Sequence, residues 1–262
     1  MLRIIFYCMK RLIKISIVSY INTLPYRFAL EQSDFIEKNA LISSDIPSIC
    51  AQKLKNNKAD IGLIPVAAIC DLDYYEIIGE FCLSGGKKVF SVELVSEVPL
   101  YEIEKIYLDF HSRTSVEMLK IIAKKHLNLD VEWFDAKTGF ESNIHGTTAG
   151  LLIGDRAMQL QDNFNFVYDL SELWQEFTGL FPVFALWVAN KPIDDRFKAE
   201  LNKVLDFGVN NIDKILKLYS TEYPEYDLQK YFTEQIVYKL DDNRKRSARY
   251  LFKEICNSTL KI

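Results

Sequence analysis

Leu12–Pro25, LIKISIVSYINTLP, decides how the rest of the chain is read. Its first half places Ile13, Ile15, Ile17 and Val18 in one apolar run, the composition of a strand covered on both faces. Its second half stops making core. Ser19, Tyr20, Asn22 and Thr23 arrive together, and Pro25 follows where the first turn of a helix accepts a residue without an amide proton. Thr23 as cap and Pro25 behind it account for a turn, which leaves Ser19, Tyr20 and Asn22 as surface of another kind.

Downstream, strand and helix signals alternate. A helix is predicted over roughly Pro25–Gln32 and a short strand at ALIS. Ser44 or Asp45 then caps a helix with Pro47 in its first turn and Ile46, Ile49, Cys50 and Leu54 on one face. Asp60–Ile64 forms the next strand, completing βαβαβ, the mark of a mostly parallel sheet with helices on its faces. A second such unit starts near residue 104. KIYLDF is a strand, and SRTSVEMLKIIAKKH is a helix with Val116, Leu119, Ala123 and Leu127 inward and Thr114–Glu117 at capping-box spacing. DVEWF, AGLLIGD and FVYDL are further strands. Two long extended segments, KKVFSVELVSE and FPVFALWVAN, flank this unit and predict two crossings between lobes.

The expected architecture is therefore α/β with two lobes, mixed but mostly parallel sheets, a double hinge and a helical C-terminal tail. Lobe 1 is discontinuous, residues 1–93 and 186–262, and lobe 2 is the inserted 94–185. In the tail, Phe197, Leu201, Val204, Ile212, Ile215 and Tyr219 recur at helical spacing, and a last basic helix starts at Asp241 or Asp242. A ligand in such a molecule lies between the lobes, at strand carboxyl ends and helix amino ends.

Composition narrows the function. The 262 residues are 49% apolar and 26% charged, with a net charge of −4 and no basic block. Nucleic acid and anionic membrane are thereby excluded as main partners. The five cysteines, Cys8, Cys50, Cys70, Cys82 and Cys256, are widely spaced and make no CxxC. They predict reduced, buried thiols and neither a zinc site nor a disulfide framework. The opening MLRIIFYCMKRLIKISIV is cut by Lys10, Arg11 and Lys14 and precedes no small-residue cleavage site. The expectation is a cytoplasmic protein without a membrane span, with Met9 as an alternative start.

Polar clusters recur at strand ends: Ser19 to Thr23 after the first strand, His111 to Ser115 after KIYLDF, Gly154 and Asp155 after LLI. Thr178 and Gly179 precede the returning strand, and Ser84, Gly85, Gly86 and Ser91 surround the outgoing one. Hydroxyls, free amide groups and positive helix ends together make an anion site that needs no metal. The usual catalytic groups are sparse. Of the histidines, only His111 stands in a cluster. No GxSxG, HExxH or P-loop occurs, and SGGKK lacks the P-loop spacing. The pattern alone favours a binder of a small anion, or an enzyme that works by positioning a reactive substrate.

The ordered set SYINTLP, DIPS, ADIGLIP, KKVFSVEL, LDFHSRTSVEML, LLIGD and DLSELWQEFTGLFPVFALW resembles the chorismate dehydratase family of the futalosine route to menaquinone, over about residues 13–190. It departs at LFPVFA, where that family carries the Pro and Phe in the other order. The resemblance implies a type II periplasmic-binding-protein fold used as an enzyme. It also implies conversion of chorismate to 3-[(1-carboxyvinyl)oxy]benzoate and water with no metal or organic cofactor, the substrate's own enolpyruvyl carboxylate taking the C3 proton. Asn22 is then the expected catalytic residue. Ser19, Tyr20, Thr23, Ser91, Ser112, Arg113, Thr114, Ser115, Gly154, Asp155, Thr178 and Gly179 are the expected substrate contacts, with Arg113 divided between ligand and an inter-lobe salt bridge. Two alternatives stand beside this. One is the 1,4-dihydroxy-6-naphthoate synthase of the same pathway, which carries a CPNDT-like motif where this chain has SYINTLP. The other is a non-catalytic binder of a small anion. The sequence leaves the oligomeric state open.

Overall fold

The computed structural model describes residues 11–224 and 226–262; Met9, Cys8 and the rest of the opening stretch lie outside them. Ile13–Val18 forms β1, buried from Ile15 onward. A tight turn at Ile21–Thr23 leads into α1 (Leu24–Glu31), with Pro25 in its first turn. The chain continues through α2 (Asp34–Asn39), β2 (Ala40–Asp45), α3 (Pro47–Lys55) and β3 (Ile61–Pro65). A 3-10 segment, Val66–Asp71, precedes β4 (Glu76–Gly85) and β5 (Val92–Ser96). Next come β6 (Lys105–Leu108), α4 (Arg113–Ile122), β7 (Glu132–Asp135), β8 (Thr148–Ile153), α5 (Asp155–Leu160), β9 (Phe166–Asp169) and α6 (Leu170–Thr178). β10 (Val183–Ala189) returns to the first sheet. Then follow α7 (Asp195–Val209), α8 (Ile212–Tyr219), α9 (Leu228–Lys230), β11 (Ile236–Lys239) and α10 (Asp242–Cys256).

Two sheets result, ordered β11-β4-β10-β3-β1-β2 and β7-β6-β8-β5-β9. The parallel pairs are confined to the βαβ units, β1 with β2 and β3, and β6 with β7 and β8. β4, β5, β10 and β11 pair antiparallel. The sheets are therefore mixed to a greater degree than the sequence predicts. The reason is that β4 and β5 run out of one sheet and into the other, β10 runs back, and each meets its neighbours head to tail.

The two crossings lie side by side and are bonded to each other. Gly85 N–H donates to Pro182 O at 3.2 Å, and the Ser84 hydroxyl to the same oxygen at 2.6 Å. The Asp169 carboxylate accepts the amides of Val89 and Phe90, each at 2.8 Å, while capping α6 through Ser171 at 2.8 Å. Phe90 holds a left-handed φ of 58° in this outgoing segment, a conformation a non-glycine residue keeps only when its surroundings impose it.

Several local expectations shift. α3 starts after Ile46, not with a side-chain cap at Ser44 or Asp45, because β2 runs on to Asp45. That carboxylate is occupied by the Ser16 hydroxyl at 3.1 Å, the Ser43 hydroxyl at 3.2 Å and the Lys53 ammonium at 2.5 Å. Ser112, not Thr114, caps α4 by accepting Ser115 N–H at 3.3 Å. The tail is not purely helical, since β11 adds an edge strand beside β4. Cys70 and Cys256 are not separate thiols but a disulfide pair, with Cα atoms 5.9 Å apart. Packing of α10 on the 3-10 segment brings them together across 186 residues, a spacing that carries no local signal. Cys50 and Cys82 are free and buried as expected. Among the described residues no helix is long and apolar enough to cross a membrane.

Candidate functional site

Strand β1 delivers the chain to the edge where the two sheets face each other, and the polar residues after it enter the gap. The cleft there encloses about 50 Å³ and is lined by Tyr20, Asn22, Ser91, Ser112, Ser115 and Gly154 among apolar walls that include Leu83, Val92, Phe184 and Ile236. Asn22 sits in the Ile21–Thr23 turn. Its backbone oxygen accepts the Tyr238 hydroxyl at 3.0 Å, and its side-chain Oδ1 is buried with no partner among the described residues. A buried acceptor left open is costly and marks a place where a ligand or a moving donor completes the bond.

Across the cleft, Ser112 and Ser115 stand on the first turn of α4, with hydroxyl oxygens 3.0 Å apart. Two hydroxyls at a helix amino end present donors and a positive dipole end to an anion. Ser91 is buried just before β5, and its backbone oxygen accepts Gly154 N–H at 2.7 Å. Gly154 has φ 65° and ψ −148°, a conformation nearly closed to other residues. A Cβ there would come within 2.9 Å of the Tyr20 ring, so glycine is what lets Tyr20 lie across the gap.

Contacts from the first sheet to the second close the rim. The Tyr20 hydroxyl stands 2.7 Å from His111 Nδ1. Arg156, a donor only, approaches the same nitrogen at 3.5 Å while paired with Asp109 and, at 2.5 Å, Glu141. Nδ1 therefore accepts and Tyr20 donates. Burial pushes the His111 imidazole below its usual range, which favours this neutral form, although Asp109 pulls the other way. Ile21 N–H donates to Asp155 Oδ1 at 3.3 Å, and burial pushes that carboxyl up to about 6. Ala67 N–H donates to Thr114 Oγ1 at 3.3 Å, and Arg113 pairs with Asp71.

The predicted site residues thus divide. Tyr20, Asn22, Ser91, Ser112, Ser115 and Gly154 share the cleft. Asp155, Thr114 and Arg113 reach across at its rim to the Ile21–Thr23 turn and to the 3-10 segment Val66–Asp71. Ser19 is exposed, with its backbone oxygen accepting Arg27 at 3.2 Å. Thr23 is fully buried and its hydroxyl donates to Val18 O at 2.6 Å, a turn role. Thr178 donates to Trp174 O at 2.7 Å at the end of α6, and Gly179 is the left-handed residue that stops that helix. Sequence reasoning missed Tyr231 and Tyr238, which come from the tail and back the Asn22 turn. Only the alternation through IVYKL hinted at a strand there. Among the described residues no three His, Cys, Asp or Glu side chains gather to hold a metal.

A sequence model of the family described as menaquinone biosynthesis matches residues 13–256. Among solved structures, the chain resembles protein AF1704 from Archaeoglobus fulgidus at 15% identity and a TM-score of 0.70, covering 94% of this chain and 96% of that one. The Candida albicans CA3427 gene product, titled as having the generic periplasmic binding protein fold, superposes with a TM-score of 0.61 at 11% identity, over 96% and 92% of the two chains. The periplasmic aliphatic sulphonate binding protein SsuA from Escherichia coli follows with 0.60 at 12%, over 94% and 92%. At these identities the likeness establishes the fold alone: that of the periplasmic binding proteins.

Proposed function

The chain belongs to the menaquinone-biosynthesis family, and we propose that within it this protein is a chorismate dehydratase, a hydro-lyase that forms 3-[(1-carboxyvinyl)oxy]benzoate and water. The observation that carries the reading is the make-up of the cleft. It offers an amide and three serine hydroxyls, while no carboxylate, amine or imidazole is among the described residues that line it. Such a site suits a dianionic substrate that brings its own base.

Chorismate carries a ring carboxylate and an enolpyruvyl carboxylate. Its C3 hydrogen is conjugated through the ring alkene to the ring carboxylate. Donors from Ser112, Ser115 and the α4 amino end hold one carboxylate and stabilise the charge that gathers there as the C3–H bond breaks. The enolpyruvyl carboxylate, folded over C3, accepts that proton. The electron pair then expels the C4 hydroxyl, which takes that same proton from the enolpyruvyl carboxyl and departs as water, and the ring becomes aromatic. Asn22 holds the enolpyruvyl carboxylate or the leaving hydroxyl through its amide. The apolar walls exclude water and fix one conformer, which supplies the orientation term.

Incubation with chorismate, followed by ultraviolet absorbance and mass spectrometry, tests this. Loss of one water with an aromatic product supports the dehydratase. Tight binding without product makes the protein a binder of the kind its structural neighbours are named for, and indifference to chorismate removes the reading.

A further inference from the structure

Behind Asn22 lies a second buried polar atom without a partner. Tyr231 is 1% exposed, and its hydroxyl makes no hydrogen bond among the described residues. It faces the side chains of Ser91 and Asn22, and its contact with neither has full hydrogen-bond geometry. Two polar atoms in this state, the Tyr231 hydroxyl and Asn22 Oδ1, stand beside each other in a core where nearly every such group is paired. Their chemistry is complementary. An amide oxygen only accepts, and a phenol can donate. Burial raises the phenol's pKa, so the proton stays on the oxygen.

We propose that Tyr231 is a positioning residue for Asn22: with substrate in the cleft, its hydroxyl donates to Asn22 Oδ1 and turns the Asn22 Nδ2 donors toward the substrate. The inference deepens, and rests on, the dehydratase reading. Without such a donor the amide of Asn22 has two orientations of similar energy, and only one presents N–H groups to an anion or a leaving hydroxyl. The backbone of Asn22 is already held by Tyr238 at 3.0 Å. Tyr231 and Tyr238 flank the start and body of β11. One short tail segment therefore secures both the main chain and the side chain of the residue at the centre of the cleft.

Steady-state kinetics of Tyr231→Phe on chorismate, with thermal unfolding of the same samples, test the assignment. The expected result is a fall in kcat of about tenfold to a hundredfold with KM little changed, the pattern of an interaction made in the transition state. Tm stays level or rises, because the variant deletes a buried hydroxyl that had no partner. In an Asn22→Ala background, read by single turnover, Tyr231→Phe costs nothing further, because the two act as one unit. Unchanged kcat in Tyr231→Phe beside an active wild type overturns this inference and leaves the proposed function standing. So do additive losses in the double variant, or a drop in Tm with full activity per folded molecule. A wild type inert toward chorismate overturns the proposed function and this inference together.

Discussion

Asn22 lines the cleft and His111 stands at its rim, and the way each is tied into the molecule separates their expected roles. Asn22 Oδ1 is buried and open, whereas His111 Nδ1 is engaged by Tyr20 at 2.7 Å. Asn22→Ala is expected to lower kcat by about 10²–10³-fold, the usual effect of deleting a donor aimed at developing charge. His111→Ala removes a rim contact and is expected to cost less than about tenfold. Parallel assays of the two variants decide it, and full activity in Asn22→Ala with total loss in His111→Ala reverses the assignment. Asp155 gives a pH signature. Burial pushes its carboxyl up from 3.8 to about 6, so between those values the folded protein keeps a proton that the unfolded chain has released. The folded state gains from that proton at low pH, and the advantage is lost as pH rises toward about 6. Asp155→Asn, which keeps an oxygen for Ile21 N–H, should therefore be more stable than wild type by about 2–3 kcal/mol at about pH 8 and nearly equal at about pH 4. Urea unfolding at both conditions measures this, and a difference that does not change with pH counts against it.

At the scale of elements, the junction of β8 and α5 carries the greatest constraint. Gly154 must hold φ 65° and ψ −148° while its α-hydrogen faces the Tyr20 ring. Gly154→Ala adds backbone strain of about 1–3 kcal/mol and pushes Tyr20 off His111. Loss of stability in urea together with a raised KM is the expected outcome, and a variant as stable and as active as wild type would refute the account. The α4 junction shows how an element's start is chosen by tertiary context. Ser112 and Thr114 both have capping chemistry, and the local spacing to Glu117 points to Thr114. Ser112 takes the cap because Thr114, two residues further in, is fully buried against Ala67 of the 3-10 segment that follows β3, whose amide its oxygen accepts at 3.3 Å.

For the whole molecule the issue is access. The cleft offers about 50 Å³. Pockets for ligands of substrate size run to about 300–1,000 Å³, so the two sheets have to part before substrate enters. The proposed motion carries the second sheet and its helices, from β5 to α6, as one body, bending at the paired crossings where Asp169 holds Val89 and Phe90. The rim contacts Tyr20–His111, Ile21–Asp155 and Arg113–Asp71 break as it opens. Small-angle scattering should show a radius of gyration that falls when the aromatic product is added, and that is larger without ligand in Arg113→Ala than in wild type. A radius that ignores both ligand and variant would exclude the hinge.

The order of elements was legible in the chain itself. The apolar run ending at Val18, the turn chemistry of Thr23 and Pro25, and the two extended segments around an inserted βαβ unit are local signals, and local sterics and burial act on them directly. The polar strand ends that share the cleft were legible for the same reason, since a hydroxyl at the carboxyl end of a buried strand has few other uses. Only the tertiary structure decided which of those residues meet. Thr178 and Gly179 have the same composition as the cleft residues, but they serve the end of α6. Tyr231, Tyr238 and the Cys70–Cys256 pair arrive from distant parts of the chain. Side-chain contacts between residues far apart in sequence depend on how helices and strands pack, and no spacing along the chain encodes that. LIKISIVSYINTLP by itself determined a strand that opens onto a polar turn; the packing of the C-terminal segment behind that turn determined that Asn22 faces the cleft with its oxygen unbonded.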